Sequence, residues 1–332
     1  MEEFSTMDER EVTGEVFSPD LIIGTGIDGL DVVNGCLLLP YVNDYGYGAP
    51  FQFVDESSEV QTSQAGNFGG GPGELTCSFY AGKTEDGLRI YSFDFTKQQV
   101  IEFKSEKNRM DYEFSAEYRI RLSEDGYIQK VIRLANGKFV GMLWGGREQL
   151  FVLFDEELNE IKRFGEHPVP GMTGPLNDFN IFQGFLLTYG NTLLYCTKNF
   201  GYITRYDFSD DDEVIQSWKH HLSKPAVEAD GGNMRIHGHE NLDGFCGIAT
   251  DGRYIYTTYS GVYTLAFREV DLYANVPRHI LVFDWDGHLL SKCKVKEPSA
   301  DLALSEDGKI LYVYTYGEEE ICITRYNTGD LL

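Results

Sequence analysis

The densest grouping of chemically capable side chains is Arg235-Ile236-His237-Gly238-His239-Glu240-Asn241, with two imidazoles, a carboxylate, a guanidinium and an amide. Read as an extended segment leading into a strand at Phe245–Ala249, it turns His237 and His239 to the same side, because alternate residues of extended chain share a face. Two imidazoles and the Glu240 carboxylate begin a transition-metal donor set, which a further ligand such as Asp178 or His220 would complete. The same residues suit a polar surface loop that binds nothing. A second group is dispersed: Asp31, Glu74, Asp178, Asn180, Asp243 and Asp301 each stand ahead of, or open, an apolar run. If such oxygens meet at the mouth of a channel they hold calcium or another hard divalent cation, which polarises an ester or lactone carbonyl. Polar groups there also serve simply to cap turns and hydrate a channel.

Other chemistries find no support. Gly-x-Ser-x-Gly and His-Glu-x-x-His are absent, and no catalytic residue is assigned. Six cysteines (Cys36, Cys77, Cys196, Cys246, Cys293, Cys322) are scattered without a Cys-x-x-Cys pair, which disfavours zinc knuckles and thioredoxin-type chemistry. Most sit among apolar neighbours and read as buried thiols; sequence does not choose among disulfide pairings. Asp210-Asp211-Asp212-Glu213 follows Tyr206-Asp207 as a solvated turn, lacking the glycine and closing glutamate of an EF-hand loop. No cofactor is expected beyond a divalent cation at a channel.

The elements that would position these residues are strands. An apolar or aromatic phrase followed by a polar turn recurs at Asp55, Lys104, Asp155, Asp207, Asp284 and Asn327, with intervals of 49, 51, 52, 77 and 43 residues. A period near 50 built from strand-and-turn chemistry is the mark of radially repeated four-stranded sheets. Six copies predict an all-β, six-bladed β-propeller forming a single domain over 1–332, with antiparallel blades near 30–65, 75–121, 128–165, 178–219, 243–296 and 300–327. The last blade lacks a fourth strand, and the alternating segment Arg10–Phe17 is expected to supply it and close the ring. Helical periodicity is missing throughout. The long fourth interval holds extra sequence between Trp218 and Phe245 and between Gly261 and Arg278; insertions in repeat folds fall in loops on one face, often the binding face.

With 28 basic and 53 acidic residues the chain carries a formal charge of −25. Such a surface repels nucleic-acid backbones and anionic headgroups, so nucleic acid is excluded as a partner. The N-terminus is polar and acidic without a signal-peptide core. The uncharged stretch Phe179–Thr197 reads as two strands joined at Tyr189-Gly190-Asn191, and no transmembrane segment is expected.

Gly66-Asn67-Phe68-Gly69-Gly70-Gly71-Pro72-Gly73-Glu74-Leu75 resembles the Gly-Pro-Gly-Glu loop between blades of NHL-type propellers. Tyr259-Ser260-Gly261, His279–Leu290 and Leu311-Tyr312-Val313 are similar to the closing blades of bacterial TolB-like six-bladed propellers. The blades are irregular and only one Gly-Pro-Gly loop is clear, a departure from true NHL proteins. The resemblance implies the fold and no catalytic residues. It further implies a periplasmic or cell-surface address, with a lipid anchor on a leader outside the given chain; a cytoplasmic location is the alternative. A phosphate-loop reading of 66–75 fails because no Lys-Ser/Thr or helix follows. Glu74 is instead expected to accept backbone hydrogen bonds within the loop.

These readings point to a non-enzymatic recognition or scaffold propeller that binds a small molecule, glycan, peptide or protein through loops at a channel mouth. Arg235, His237, His239, Glu240 and Asn241 are its best contact residues, joined by loop tyrosines Tyr45, Tyr47, Tyr263 and Tyr273. The alternative is a divalent-metal-dependent lactonase, esterase or lyase that uses the dispersed carboxylates.

Overall fold

The structure, a computed structural model, describes residues 7–17, 23–44, 46, 48–106, 110–144, 149–169, 179–230, 233–264, 276–317 and 320–332. Short strands β1 (Glu9–Glu11) and β2 (Glu15–Phe17) come first. Blade one contains β3 (Asp31–Val33), β4 (Cys36–Pro40), β5 (Phe51–Asp55) and β6 (Gln61–Ala65); blade two contains β7 (Ser78–Lys83), β8 (Arg89–Asp94), β9 (Gln99–Lys104) and β10 (Glu113–Arg119). Blade three holds β11 (Tyr127–Arg133), β12 (Phe139–Trp144), β13 (Phe151–Phe154) and β14 (Glu160–Phe164). In blade four are β15 (Gly184–Tyr189), β16 (Thr192–Thr197), β17 (Tyr202–Phe208) and β18 (Val214–His221), after which β19 (Val227–Asp230) and β20 (Asn233–Ile236) form a separate hairpin. Blade five has β21 (Phe245–Thr250), β22 (Tyr254–Tyr259), β23 (His279–Asp284) and β24 (Leu289–Lys294); blade six has β25 (Ser299–Leu304), β26 (Ile310–Tyr316) and β27 (Ile321–Asn327). This is a six-bladed β-propeller, with short 3-10 turns at Phe179–Phe182 and Thr328–Asp330 as the helical elements among the described residues.

The chain groups into two compact units, one of Phe17–Trp144 and Gln149–Gly165, the other of Met1–Val16, Gly145–Glu148 and Glu166–Leu332. The first carries blades one to three and the second carries blades four to six. Within each unit the middle strands are buried on both faces, as every residue of β13 and β16 is. Such strands read as unbroken apolar runs because a neighbouring sheet covers either side. One core cluster of the first unit joins Phe51 and Phe53 of blade one to Ile101 and Phe103 of blade two, with the Phe51 and Phe103 rings edge to face at 5.5 Å. In the second unit Leu194 and Ile203 pack with Ile255 and Leu281, and Val282 with Val313. Outer strands alternate instead, β18 most plainly, since one side faces water.

The repeating phrase marks the end of each blade's third strand. At Asp55, Oδ1 accepts from the backbone N–H groups of Ser57 and Ser58, at 3.0 and 2.7 Å. Hydrogen bonds from the Ser57 hydroxyl, then from Ser58, lower its pKa to about 2. Asp155 and Asp284 cap the equivalent turns, and Asn327 does so in blade six.

Closure differs from the expected single strand. Glu15–Phe17 lies beside β27 and completes blade six, but Glu9–Glu11 runs parallel to β24 as a fifth strand of blade five. The physical reason is charge: Glu9 sits between His279, at 2.7 Å, and Lys292, at 3.4 Å, while Glu11 approaches Lys294 at 3.6 Å. Gly14 lies between the two strands at a close approach to β27. A Cβ there would meet the Thr324 methyl, and would stand 2.8 Å from both the Arg325 carbonyl and the Tyr326 ring.

Two outcomes follow from this arrangement. Gly14→Ala will lower stability by about 1–3 kcal/mol through overpacking, read as a lower denaturant midpoint; an unchanged midpoint refutes the close approach. Burial opposes ionisation of Glu9, but the hydrogen bond and charge of His279, then Lys292, outweigh it and lower its pKa below the ordinary 4.5. Because the folded pKa is the lower one, this stabilisation is present above the unfolded value and is lost as pH falls through the folded value. Partly exposed, the cluster contributes no more than about 1 kcal/mol. Glu9→Gln will therefore be less stable than the parent near neutral pH, and the difference will vanish as pH falls through the lowered pKa of the folded carboxyl. A pH-independent difference would contradict the assignment.

Candidate functional site

In an antiparallel blade the second-to-third connection and the approach to the first strand lie at the same end, here termed the leading end. Both extra segments of blade five, between β18 and β21 and between β22 and β23, are therefore on its leading end.

The first segment is an ordered projection. In the β19–β20 hairpin Val227 pairs with Ile236 and Glu228 with Arg235. His237 N–H donates to the Ala226 carbonyl at 2.9 Å, continuing the ladder. The chain then turns sharply, since the N–H groups of Glu240 and Asn241 both donate to the His237 carbonyl at 2.9 Å. This corrects the extended reading of 235–241: His237 and His239 are related by a turn, not by strand alternation. His237 Nε2 lies 3.2 Å from Glu228 across the hairpin, and Arg235, His239 and Glu240 are exposed.

Asn241 also departs from expectation. It is 0% exposed, and its amide faces the protein rather than a ligand. Its Nδ2 donates to the Asn199 carbonyl at 2.6 Å and to Thr264 Oγ1 at 3.0 Å, while its Oδ1 accepts from Ala226 N–H at 3.2 Å. Thr264 in turn donates to Asp243 Oδ1 at 2.7 Å, and Leu242 bridges Tyr263. One buried amide thus ties together the base of the hairpin, blade four and the β22–β23 segment. Tyr263 rides on this ladder 54% exposed. Asp178, Tyr45, Tyr47 and Tyr273 lie outside the described residues, and Asn180 is placed only as backbone of the 3-10 turn.

The remaining dispersed carboxylates are held locally. Asp31 Oδ1 accepts from Val32 N–H and from Lys83, both at 2.8 Å, and its Oδ2 accepts from the Tyr80 hydroxyl at 2.7 Å. Burial, then the charge of Asp31, pushes the Tyr80 hydroxyl well above its ordinary range. Glu74 Oε2 accepts from Gly71 N–H at 2.7 Å, inside the glycine loop as expected. Asp301 Oδ1 accepts from Leu302 N–H at 2.9 Å. Near Asp243 and Asp301, burial pushes the Cys246 thiol up to about 12, so it stays neutral and unreactive. All six cysteines are free thiols. His220 packs its ring on Trp218 in β18, at 5.3 Å. Among the described residues no group of three or more His, Cys, Asp or Glu side chains is arranged to hold a metal ion.

Sequence reading missed a pair in the first unit. Lys130 Nζ reaches both carboxylate oxygens of Asp28, at 2.8 and 2.9 Å, joining the first strand of blade three to the approach of blade one. The available signal was a lysine set between the apolar pairs Tyr127-Ile128 and Val131-Ile132 of one strand.

No family model matches the chain, and no curated protein matches it. Solved structures do match. A Bacteroides fragilis protein described as exported aligns with a TM-score of 0.61 at 11% identity, over 96% of this chain and 98% of its own. A DUF4221 member from Bacteroides vulgatus aligns with a TM-score of 0.61 at 13% identity, over the same shares of 96% and 98%. The β-propeller domain of Myceliophteria thermophila Cps50 (Swd1) gives 0.53 at 10% identity, over 93% and 99%. At such identities the likeness shows the fold alone.

Asn241→Ala will unfold at lower denaturant, by about 2–3 kcal/mol, because it removes the three hydrogen bonds of a fully buried amide. It will also raise hydrogen exchange at His237 and Thr264, whose amides belong to the ladder it anchors. Wild-type stability in this variant would show the network to be dispensable.

Proposed function

We propose that the chain is a non-catalytic recognition propeller that takes a glycan, peptide or protein through loops at the leading ends of its blades. The observation that carries this reading is the β19–β20 projection. A buried amide holds it rigidly while Arg235, His237, His239, Glu240 and Tyr263 are turned to solvent. Rigid display of polar and aromatic groups lowers the ordering cost of binding and is the economy of a binding edge. The glycine loop at 66–75 and the closing blades favour kinship with TolB-like and NHL-like propellers. That kinship, together with the exported description of the Bacteroides fragilis neighbour, supports a periplasmic or surface address, with a lipid anchor in a leader. Among the described residues no helix is long and apolar enough to cross a membrane. A cation-dependent hydrolase would require several oxygens turned to one point. Asp31, Glu74, Asp243 and Asp301 are instead engaged by Lys83, Gly71, Thr264 and Leu302.

Screening against immobilised peptide and glycan panels, beside lactone and ester turnover assays, tests the reading. Binding without turnover is expected; turnover of any ester or lactone refutes it. For a partner that uses the projection, His237→Ala with His239→Ala will weaken binding about tenfold or more with a nearly unchanged melting temperature. Full retention of every interaction in that double variant removes the projection as a contact.

A further inference from the structure

The first unit carries a second arrangement, at the leading ends of blades two and three. Phe95, in the β8–β9 connection, meets the Tyr127 ring edge to face at 5.1 Å and the Trp144 ring at 5.1 Å. Tyr127 and Trp144, at the two leading termini of β11 and β12, stand 6.1 Å apart. Phe79 continues the row at 6.3 Å from Phe95, and Lys130 Nζ lies 5.5 Å from the Phe79 ring centre on its way to Asp28. Phe79 and Phe95 pack on the edge of the core between blades two and three, and none of the four rings is fully buried. Tyr127 is 36% exposed, and Phe79, Phe95 and Trp144 are half-buried.

The wall is fixed in place. Tyr127 donates its hydroxyl to the Phe95 carbonyl at 2.8 Å. The Gln98 amide accepts from Ile128 N–H at 2.8 Å and donates to the Ile128 carbonyl at 2.9 Å, so a side chain completes the edge of β11. Beyond Ile128 the strand bulges, with Gln129 left over in the register before Lys130. Bulges re-aim side chains and concentrate next to functional sites. Gln129 is 7% exposed, and its buried Oε1 has no protein partner.

From this geometry we infer a binding site for a neutral carbohydrate, resting on the recognition reading above. The partly exposed rings offer flat apolar surface to the C–H face of a pyranose. At the end of the row the Asp28 carboxylate accepts from Lys130 with one lone pair of each oxygen and offers the second pair of each side by side, matching the donor hydroxyls of a vicinal diol. Because the two charges already cancel, the site gains nothing from a charged ligand, and a chain of net charge −25 disfavours an anionic one.

Isothermal titration of the full chain with neutral oligosaccharides (cello-, malto-, manno-, xylo- and galacto-hexaose) tests the assignment. Saturable binding to at least one is expected, weakened about tenfold or more by Tyr127→Ala and by Asp28→Asn, and unaltered by Lys104→Ala at the exposed far end of β9. Asp28→Asn keeps the shape of the side chain, and the circular dichroism and melting curve of each variant separate lost binding from lost fold. Retained affinity in both correctly folded variants overturns the site. Binding lost only in the His237→Ala, His239→Ala variant also overturns it while leaving the recognition reading intact. So does a peptide binder found where no oligosaccharide binds.

Discussion

Burial of the middle strands on both faces is the constraint on which everything else rests. β16 exposes none of its residues, and β13 likewise. A sheet of that kind has no stable existence alone, because both faces must be removed from water. Once each blade is committed to its neighbours in this way, the faces of the sheets are spent on cohesion. Chemistry is confined to strand termini, connections and the first and last strands. The candidate residues of both units obey this rule: His237, Tyr263, Phe95 and Asp28 lie in connections, and Tyr127 and Trp144 are terminal residues of their strands.

The fold was legible because its repeat is chemical as well as periodic. Five of the six third strands end in a side chain that either caps the following turn, as Asp55, Asp155, Asp284 and Asn327 do, or stands exposed like Lys104, while Asp207 ties Thr192 and Ser217 of the flanking strands. Local turn chemistry therefore coincided with the blade boundary, and both are readable from short windows. Closure was legible only in part. Val16 and Phe17 marked a strand, but the allegiance of Glu9 and Glu11 was decided by Lys292, Lys294 and His279, nearly three hundred residues away. No local pattern carries that information.

The sites were less legible for the same reason. His237 and His239 stood out by composition, yet their geometry is set by a turn that Asn241 stabilises through Asn199 and Thr264. An asparagine beside two histidines looks like a ligand and is in fact the anchor that lets them be displayed. The aromatic wall failed to attract notice for the opposite reason. Phe79, Tyr127 and Trp144 are ordinary strand residues and Phe95 an ordinary turn residue one at a time, and only the alignment of leading ends gathers them. Lys130 was hidden by its apolar neighbours, although a charge in such a run must find a partner, here Asp28.

The parallel pairing of β1 with β24 also has a mechanical meaning. Three residues are held to the edge of blade five, with Val12 adding a hydrogen bond to the Lys294 carbonyl at 3.0 Å, before the chain crosses at Gly14 to blade six. Tension applied at residue 7 loads this short contact first and reaches β2 only after β1 has come away. The charged clasp around Glu9 thus acts as a fuse in series with the strand that completes blade six. Rupture under such a pull therefore begins at the edge of blade five, before the strand that completes blade six is peeled.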